Sequence, residues 1–564
     1  MTLTSKNKLP SPLLWGLVLL ITIISVLPTV RLVMQALSDI SWHHPSSLSK
    51  VISQKNTWLA FNHSIYTSFM AMWVSLFLGG ALAFFVVLSD IRWKSLWVFL
   101  FMLPMMIPPQ VTALSWLQLM GPSSVLLKTL GMAPALGSKQ PLYSAWGIIL
   151  LMGIQHTSLV FLILRSNLLY IPKELIEAAR LNGASQQRVF IDIIFPLCRN
   201  GLVAGAAVAF ISGLGNFGIP AMLGIPVSYY VLPTLIYQKM ADFGPTMISE
   251  LSSLSLIIAV LAVVAVWVQH HFQNKMTLMS AQGKPFKFEL NQWRLVVEIS
   301  LAVVLLAILV IPLLALLSSS FVAAQGIPLS WETFSWQGYI NIFKPQSSVW
   351  RAFTNSFFLS LMAAVIIVLI SIPLAYWGQR DSSSKLYYVS KVMMDIPYAL
   401  PGVVLSIACI LIFVKPLPIV NVSLYGTLWI ILFAYLARFL TVGFKPIQSS
   451  MLQMDVALEE AAQLCGANFT QRLRDILIPL LAPSVFAGII LVFLIAFNEL
   501  TVSALLWSAG KETVGVIIFN MDESGDAIMA SAVSVVVVLL VIVLMLILSL
   551  LGKRLPKGVI PWQS

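Results

Sequence analysis

The sequence predicts an all-α integral membrane protein of about 12 transmembrane helices in two parallel six-helix repeats. Three observations predict it. The composition is apolar with few charges, apolar runs of membrane-spanning length recur along the chain, and one polar loop occurs twice with the same residue spacing.

Of the 564 residues, 59% are hydrophobic and 10% are charged, whereas a soluble domain carries roughly 25% charged residues. So few charges cannot cover a soluble globule of this size, and lipid must be the solvent for much of the surface. No polar stretch is long enough to form a separate soluble domain. The net charge of +12 fits basic residues gathered in cytoplasmic loops, so a nucleic-acid partner is not expected. Cys198, Cys409 and Cys465 lie far apart, with neither metal-ligand spacing nor a disulfide framework. His43–His44 and His270–His271 are adjacent pairs whose side chains would diverge on a helix, unlike a zinc site. No metal or cofactor is expected. Lys6 and Lys8 precede an apolar run over 13–30. The many later apolar runs, and the lack of a small-x-small cleavage site, favour an uncleaved first helix.

Runs near the ~20 residues needed to cross a bilayer fall at 13–36, 64–88, 95–118, 144–169, 201–222, 248–271, 295–320, 354–378, 391–414, 424–446, 481–505 and 527–551. With these spans one face carries 23 of the 33 basic residues, among them Lys173, Arg180, Lys284, Arg438 and Lys445. The positive-inside rule makes that face, and therefore both termini, cytoplasmic. The chain then divides into a first transmembrane domain (1–272, with a coupling loop at 171–200), a polar cytoplasmic linker (273–294), and a second transmembrane domain (295–564, with a coupling loop at 451–481).

The halves repeat. ELIEAARLNGASQQRVFIDIIFPL begins at Glu174, and ALEEAAQLCGANFTQRLRDILIPL begins at Ala457. Glu177, Ala178, Ala179, Gly183, Asp192 and Pro196 match Glu460, Ala461, Ala462, Gly466, Asp475 and Pro479 at one offset of 283. Trp58, Ala60, Phe61 and Ser64 match Trp350, Ala352, Phe353 and Ser356 at 292, and Pro104 and Pro108 match Pro397 and Pro401 at 293. An even number of spans per half gives both copies the same orientation, a parallel repeat about an axis along the membrane normal.

Within the repeated loop, Glu-Ala-Ala favours a short helix. Gly183 and Gly466 are placed to end it, since glycine accepts the left-handed conformation. Ser185 in one copy, and Asn468 or Thr470 in the other, can begin a second short helix. Val189, Ile191, Ile193 and Ile194 are expected on the membrane side, and Pro196 at the entry to the fifth span. The product is a helix–bend–helix elbow on the cytoplasmic side. A single copy would read equally well as an interfacial amphipathic helix, but two copies in register argue for the elbow.

Glu-Ala-Ala, then Gly, then an apolar stretch ending in Pro resembles the signature loop of binding-protein-dependent ABC importer permeases with the type I importer fold. The resemblance covers nearly the whole chain, twice. It implies that the loops are coupling helices seated in clefts of two copies of an ATP-binding cassette ATPase subunit. It also implies that Glu177, Ala178, Ala179, Gly183 and Pro196, with Glu460, Ala461, Ala462, Gly466 and Pro479, form that junction, and that an extracytoplasmic solute-binding protein docks outside. The fused arrangement, with YLARFLTVGFKPIQSSMLQMDVALEEAA from Tyr435 and NELTVSALLWSAGKETVGVIIFNMDESGD from Asn498, is similar to the ferric-iron permeases. Their Lys-Glu-Leu-Pro pattern stands here as Asn498-Glu499-Leu500-Thr501. Relatives for phosphonate, sugar phosphate, thiamine or polyamine are alternatives. No Gly-x4-Gly-Lys-Ser/Thr phosphate loop occurs in the sequence, so ATP hydrolysis is expected from the partner. An ion-coupled secondary transporter is the rival class.

Two polar positions interrupt the span after each loop. Glu499 and its repeat partner Asn216 are candidate translocation-pathway residues, since ionisable groups at membrane depth are expensive and usually functional. Glu499 reads equally well as an interfacial carboxylate. Asp395 is expected to cap a helix locally. The outer segments 223–247 and 506–526 are expected to hold re-entrant turns or to dock the binding protein.

Overall fold

The computed structural model describes residues 11–38, 46–135, 137–169, 171–242, 246–273, 287–345, 347–381, 383–416 and 421–551. Lys6, Lys8, His43, His44 and most of the linker, including Lys284, lie outside the described residues.

The described chain is helical, with extended pairing limited to the isolated bridges Ser89–Phe288 and Val322–Phe334. Among the described residues nine helices are long and apolar enough to cross a bilayer, and four bent pairs bring the number to 13 if each is one span. The expected spans fall on the nine helices and on three of the bent pairs. The fourth pair, Gly218–Val227 with Leu232–Lys239, bends by 70° within the segment expected to be external.

Where the structure departs from straight spans, the cause is mostly proline. The third and ninth spans are sharply bent: Lys94–Met106 meets Pro109–Thr129 at 96°, and Lys385–Ala399 meets Gly402–Phe413 at 108°. Each bend sits before a repeated proline, at Ile107 (ψ 133°) and Leu400 (ψ 138°). A proline forces the residue before it out of the helical region and into extended backbone. The runs expected at 201–222 and 481–505 also stop early, at Leu214 and Phe497.

Small residues let the long helices approach closely, as in membrane helix packing generally. A Cβ on Gly79 would lie 2.6 Å from the Thr157 carbonyl, and one on Gly153 would lie 2.5 Å from Val74 Cβ. Helices Lys55–Leu88 and Ala145–Leu169 therefore cross at backbone distance. Gly443 gives the crossing of Leu428–Gln453 with Ser348–Arg380, where an added Cβ would meet Ile367 at 2.5 Å.

The chain forms two compact units, and they do not follow chain order. One comprises Met1–Asp39, Ser348–Val516 and Leu539–Ser564; the other comprises Ile40–Ser347 and Ile517–Val538. The first helix of each half thus belongs with the body of the opposite half. In one unit Pro12–Leu37 packs on the bent pair Lys385–Phe413, with Thr22 Oγ1 against Met393 Sδ. In the other unit Asn291–Ser320 packs on the bent pair Lys94–Thr129, with Ser319 donating to Gln118 Oε1 at 3.0 Å. Sequence order and spatial unit are therefore different partitions of this chain.

Candidate functional site

The first elbow begins with helix Lys173–Leu181 and the second with helix Val456–Leu464. Both end in one arrangement. Gly183 N–H bonds Arg180 O at 2.9 Å and Ala184 N–H bonds Ala179 O at 3.0 Å; Gly466 and Ala467 repeat this on Gln463 O and Ala462 O at 3.0 Å each. This is a Schellman cap. It requires the left-handed backbone, and Gly183 (φ 83°) and Gly466 (φ 85°) supply it. The second alanine of each Glu-Ala-Ala gives the carbonyl that closes the cap. Ser185 Oγ then accepts from Arg188 N–H at 3.4 Å. Asn468 and Gln471 cap each other reciprocally at 2.9 Å, which makes Asn468 the cap and leaves Thr470 inside the helix.

The two elbows expose the same positions. Glu177, Ala178 and Gly183 are exposed, as are Glu460, Ala461 and Gly466; Ala179 and Ala462 are half-buried, and Pro196 and Pro479 are exposed. Glu177 also pairs with Lys173 at 2.6 Å on the surface. Two further repeated residues, not singled out in the sequence, project fully: Leu181 is 89% exposed and Leu464 87%. They share the 283 offset, and their chemistry is wrong for a face bathed only in water. Each elbow continues through a π-helical turn, Phe190–Ile194 or Leu473–Leu477, just before its proline. The missing N–H and the ring clash of proline displace the ladder there. Of the residues expected on the membrane side, Val189 and Ile194 are fully buried in protein, while Ile191 is 62% exposed.

Beneath the matching exposed faces the elbows are anchored by different chemistry. In the first, Ile176 and Val189 are fully buried and Phe84 meets Phe190 edge-on at 5.1 Å. In the second, the residues at the same offset are Glu459 and Arg472, 2% and 6% exposed. Arg472 Nη1 lies 3.1 Å from Glu459 Oε1, Arg380 Nη2 bonds Glu459 Oε2, and Tyr376 Oη donates to Glu459 Oε1 at 2.8 Å. Removing one member of a buried pair typically costs about 3–5 kcal/mol.

The helix leaving each elbow ends at a break, and there the repeat partners Asn216 and Glu499 act alike. Asn216 Oδ1 accepts from Ile219 N–H at 3.2 Å, and Glu499 Oε2 accepts from Val502 N–H at 2.9 Å. Each side chain caps the short helix that follows. Both residues are buried, at 6% and 8% exposure. Glu499 also accepts from Thr501 Oγ1 and lies 3.7 Å from Arg438 Nε. Arg438, expected on the cytoplasmic face, is instead inside helix Leu428–Gln453 and donates to Leu400 O at 3.2 Å, at the proline bend. Its partner in the first half, Gln155, donates to Ile107 O at 3.3 Å, the equivalent bend. Two amides stand at these stations in the first half, and an ion pair stands there in the second. Lys445 likewise sits in helix Leu428–Gln453, with its ammonium over the Tyr398 ring at 5.4 Å. Asp395 is not a helix cap; it accepts from Thr441 Oγ1 at 3.1 Å.

The segments beyond the breaks are tied back by repeated serines. Ser64 Oγ accepts from Leu232 N–H and Ser356 Oγ from Val514 N–H, each at 2.8 Å. Each segment has a second clasp. His63 stacks on Tyr229 at 3.8 Å, whereas Arg351 holds Glu512 through Nε–Oε2 at 3.1 Å and Nη2–Oε1 at 3.4 Å. Burial raises the Glu512 carboxyl pKa. The hydrogen bond from Arg351, the backbone N–H groups of Glu512 and Gly510, and the Arg351 charge outweigh that and leave it below the usual carboxylate range.

Comparison with known proteins agrees with this arrangement. Residues 10–278 and 368–560 match the family of binding-protein-dependent transport system inner membrane components. The chain is 24% identical over 537 residues to the ferric transport system permease protein FbpB of Actinobacillus pleuropneumoniae, covering 93% of this chain and 76% of that one. It is 25% identical over 422 residues to a probable ABC transporter permease protein, y4fN, of Sinorhizobium fredii, covering 72% of each. A spermidine/putrescine transport system permease protein, PotC, of Haemophilus influenzae is 27% identical over 237 residues, 42% of this chain and 88% of that one. The ion-coupled secondary transporter is set aside by this match. The helical architecture, the tandem elbows and the matched segments agree that this chain belongs to the family of binding-protein-dependent transport system inner membrane components, as a fused type I ABC permease similar to the ferric transport permeases.

Proposed function

We propose that this chain forms the translocation pathway of an iron(III) importer of the bacterial cytoplasmic membrane. An extracytoplasmic binding protein delivers solute, and two copies of an ATP-binding cassette ATPase seat on the elbows. The observation that carries the reading is the double presentation of one exposed face. Glu177, Ala178, Ala179, Gly183 and Leu181 in one half, and Glu460, Ala461, Ala462, Gly466 and Leu464 in the other, offer two equivalent docking knobs to two identical partners. Pro196 and Pro479 set the turn that carries each elbow toward its span.

In this reading, closure of the ATPase pair moves the elbows and the helices that leave them, and the pathway opens where those helices break. Asn216 and Glu499 act there by fixing the breaks. Glu499 is paired with Arg438 at 3.7 Å, so it does not present a lone carboxylate to a passing cation. Both termini and the 273–294 linker face the cytoplasm, and the sequence halves 1–272 and 295–564 descend from one duplicated unit. Thiol labelling of Lys284→Cys from outside intact cells is expected to fail, and efficient labelling would reverse the orientation.

Iron(III) is the first substrate to test because the ferric transport permeases align with most of the chain. Deletion in a strain with no other ferric importer is expected to abolish radiolabelled ferric uptake while sparing phosphonate, sugar-phosphate, thiamine and polyamine uptake. Unchanged ferric uptake would remove iron and leave the permease role in place.

A further inference from the structure

We propose that Glu459 is the positioning residue of the second elbow. One buried carboxylate ties the elbow's second limb, through Arg472, to helix Ser348–Arg380, through Arg380 and Tyr376. The inference rests on reading the elbows as docking sites for the ATPase.

Glu459 stands directly before the Glu-Ala-Ala signature, yet its side chain points the other way. Glu460 is exposed, while Glu459 is 2% exposed and contacts three side chains from two other segments. The contacts place one atom group between all the parts that must keep a fixed relation: the docking helix Val456–Leu464, the second limb at Arg472, and the end of a long span at Arg380. Gln463 strengthens the join, since Arg472 Nη1 also donates to its Oε1 at 3.3 Å.

The first half shows what the ordinary solution is. At the matching stations Ile176 stands for Glu459, Val189 for Arg472, Leu88 for Arg380 and Phe84 for Tyr376. All four are apolar, and Ile176, Val189 and Leu88 are buried. Packing is tolerant of small slides because dispersion contacts are many and weakly directional. A carboxylate shared by two guanidinium groups is directional, and separation leaves charges unpaired in a poorly solvated place. The second elbow therefore moves with its span or not at all.

The segment beyond the elbow sharpens the contrast. From the second elbow, Thr470–Phe497 runs as one helix to the break capped by Glu499. From the first, Gln186–Leu197 and Arg199–Leu214 meet at 57°. A displacement of the second elbow reaches its break along a single rod, whereas the first has a joint in between. Glu459 is the residue that makes the second rod and its docking helix one body.

The native thiols supply the test. Cys465 is exposed at the tip of the second elbow, and Cys198 and Cys409 are buried. In the purified full chain in nanodiscs, a spin label on Cys465 reports that elbow alone; one on Asn182→Cys in a Cys465→Ser background reports the matching position of the first. Glu459→Gln is expected to raise the mobile fraction at Cys465 several-fold and leave position 182 unchanged. The four-residue variant Glu459→Ile, Arg472→Val, Arg380→Leu, Tyr376→Phe, which copies the first half, is expected to return the label to its wild-type mobility. An immobile label in Glu459→Gln, or a mobile one in the folded four-residue variant, overturns the clamp. The label needs no ATPase, so this outcome is separate from the docking reading.

Discussion

Val502 donates its backbone N–H to Glu499 Oε2 at 2.9 Å, and Ile219, at the equivalent place in the other half, donates to Asn216 Oδ1 at 3.2 Å. The same capping job is done by a carboxylate in one half and an amide in the other. The residues at offset 283, Arg438 and Gln155, also differ, each bonded to the carbonyl before a proline bend, and Arg438 lies 3.7 Å from Glu499. Charge and counter-charge thus occur together in the second half. Glu499→Asn is expected to keep the cap and strand Arg438. With Arg438 21% exposed, the loss is about 1–3 kcal/mol, below the fully buried case. Arg438→Gln combined with Glu499→Asn restores the two first-half residues, removes the stranded charge, and is expected to recover most of it. Thermal unfolding in detergent of the two single variants and the double checks this. Additive losses would mean that the two residues are not coupled.

Gly183 and Gly466 are limited by backbone, not by room. No atom lies within 4 Å of a Cβ placed on either, but φ is 83° and 85°. A non-glycine residue in this region costs about 1–2 kcal/mol, more for a β-branched one. Gly183→Val with Gly466→Val is therefore expected to distort both caps while leaving the spans intact. Membrane insertion on immunoblots should be unchanged and ATP-driven uptake reduced at least several-fold. Normal uptake would mean that the bends do not transmit force.

Leu181 and Leu464 are nearly fully exposed on helices whose other exposed residues are largely polar or small. An apolar knob at the same place on both elbows fits burial in a partner. Burying a leucine side chain contributes about 1.5–3 kcal/mol, or roughly one to two orders of magnitude in affinity per elbow. Leu181→Glu with Leu464→Glu is expected to abolish co-purification of the ATPase without lowering the yield of the permease. Leu175→Glu with Leu458→Glu, at sites that are only half as exposed, should weaken it less. Full retention in the first pair would remove these leucines from the junction.

Much of this is legible in the sequence. The offset of 283 aligned both caps, and the repeated prolines marked both bends, because glycine and proline report backbone geometry directly. The bend angles were not legible, since a proline names the site of a kink and not its size. Nor was the placing of each first helix in the opposite unit: hydropathy gives the length of a span and says nothing of its neighbours. Glu459 was hidden by Glu460, because two adjacent glutamates on a short polar helix read as solvated. The signal lay in the alignment itself, where Ile176 faces Glu459 and Val189 faces Arg472. A buried apolar position whose repeat partner is charged calls for a counter-charge nearby, and each member supplies it for the other.

The outer clasp gives a pH prediction. Arg351 holds Glu512 in two contacts, and the Glu512 carboxyl sits below the usual carboxylate range despite its burial. Its folded value lies under the unfolded one, about 4.3 for a free glutamate. The clasp therefore contributes fully above that value and is lost as pH falls through the lower folded value. Acid should release the loop that contains Lys511, which is exposed. In a Cys465→Ser background, the thiol of Lys511→Cys is expected to label faster only at strongly acidic pH. Arg351→Met removes the hydrogen bond and the charge while burial remains, so the carboxyl moves upward. The pH at which labelling accelerates should then rise, because burial is left without the opposing Arg351 contacts. Identical onset in the two proteins would show that Arg351 does not set the Glu512 titration and that the clasp is held by the backbone N–H of Gly510 instead.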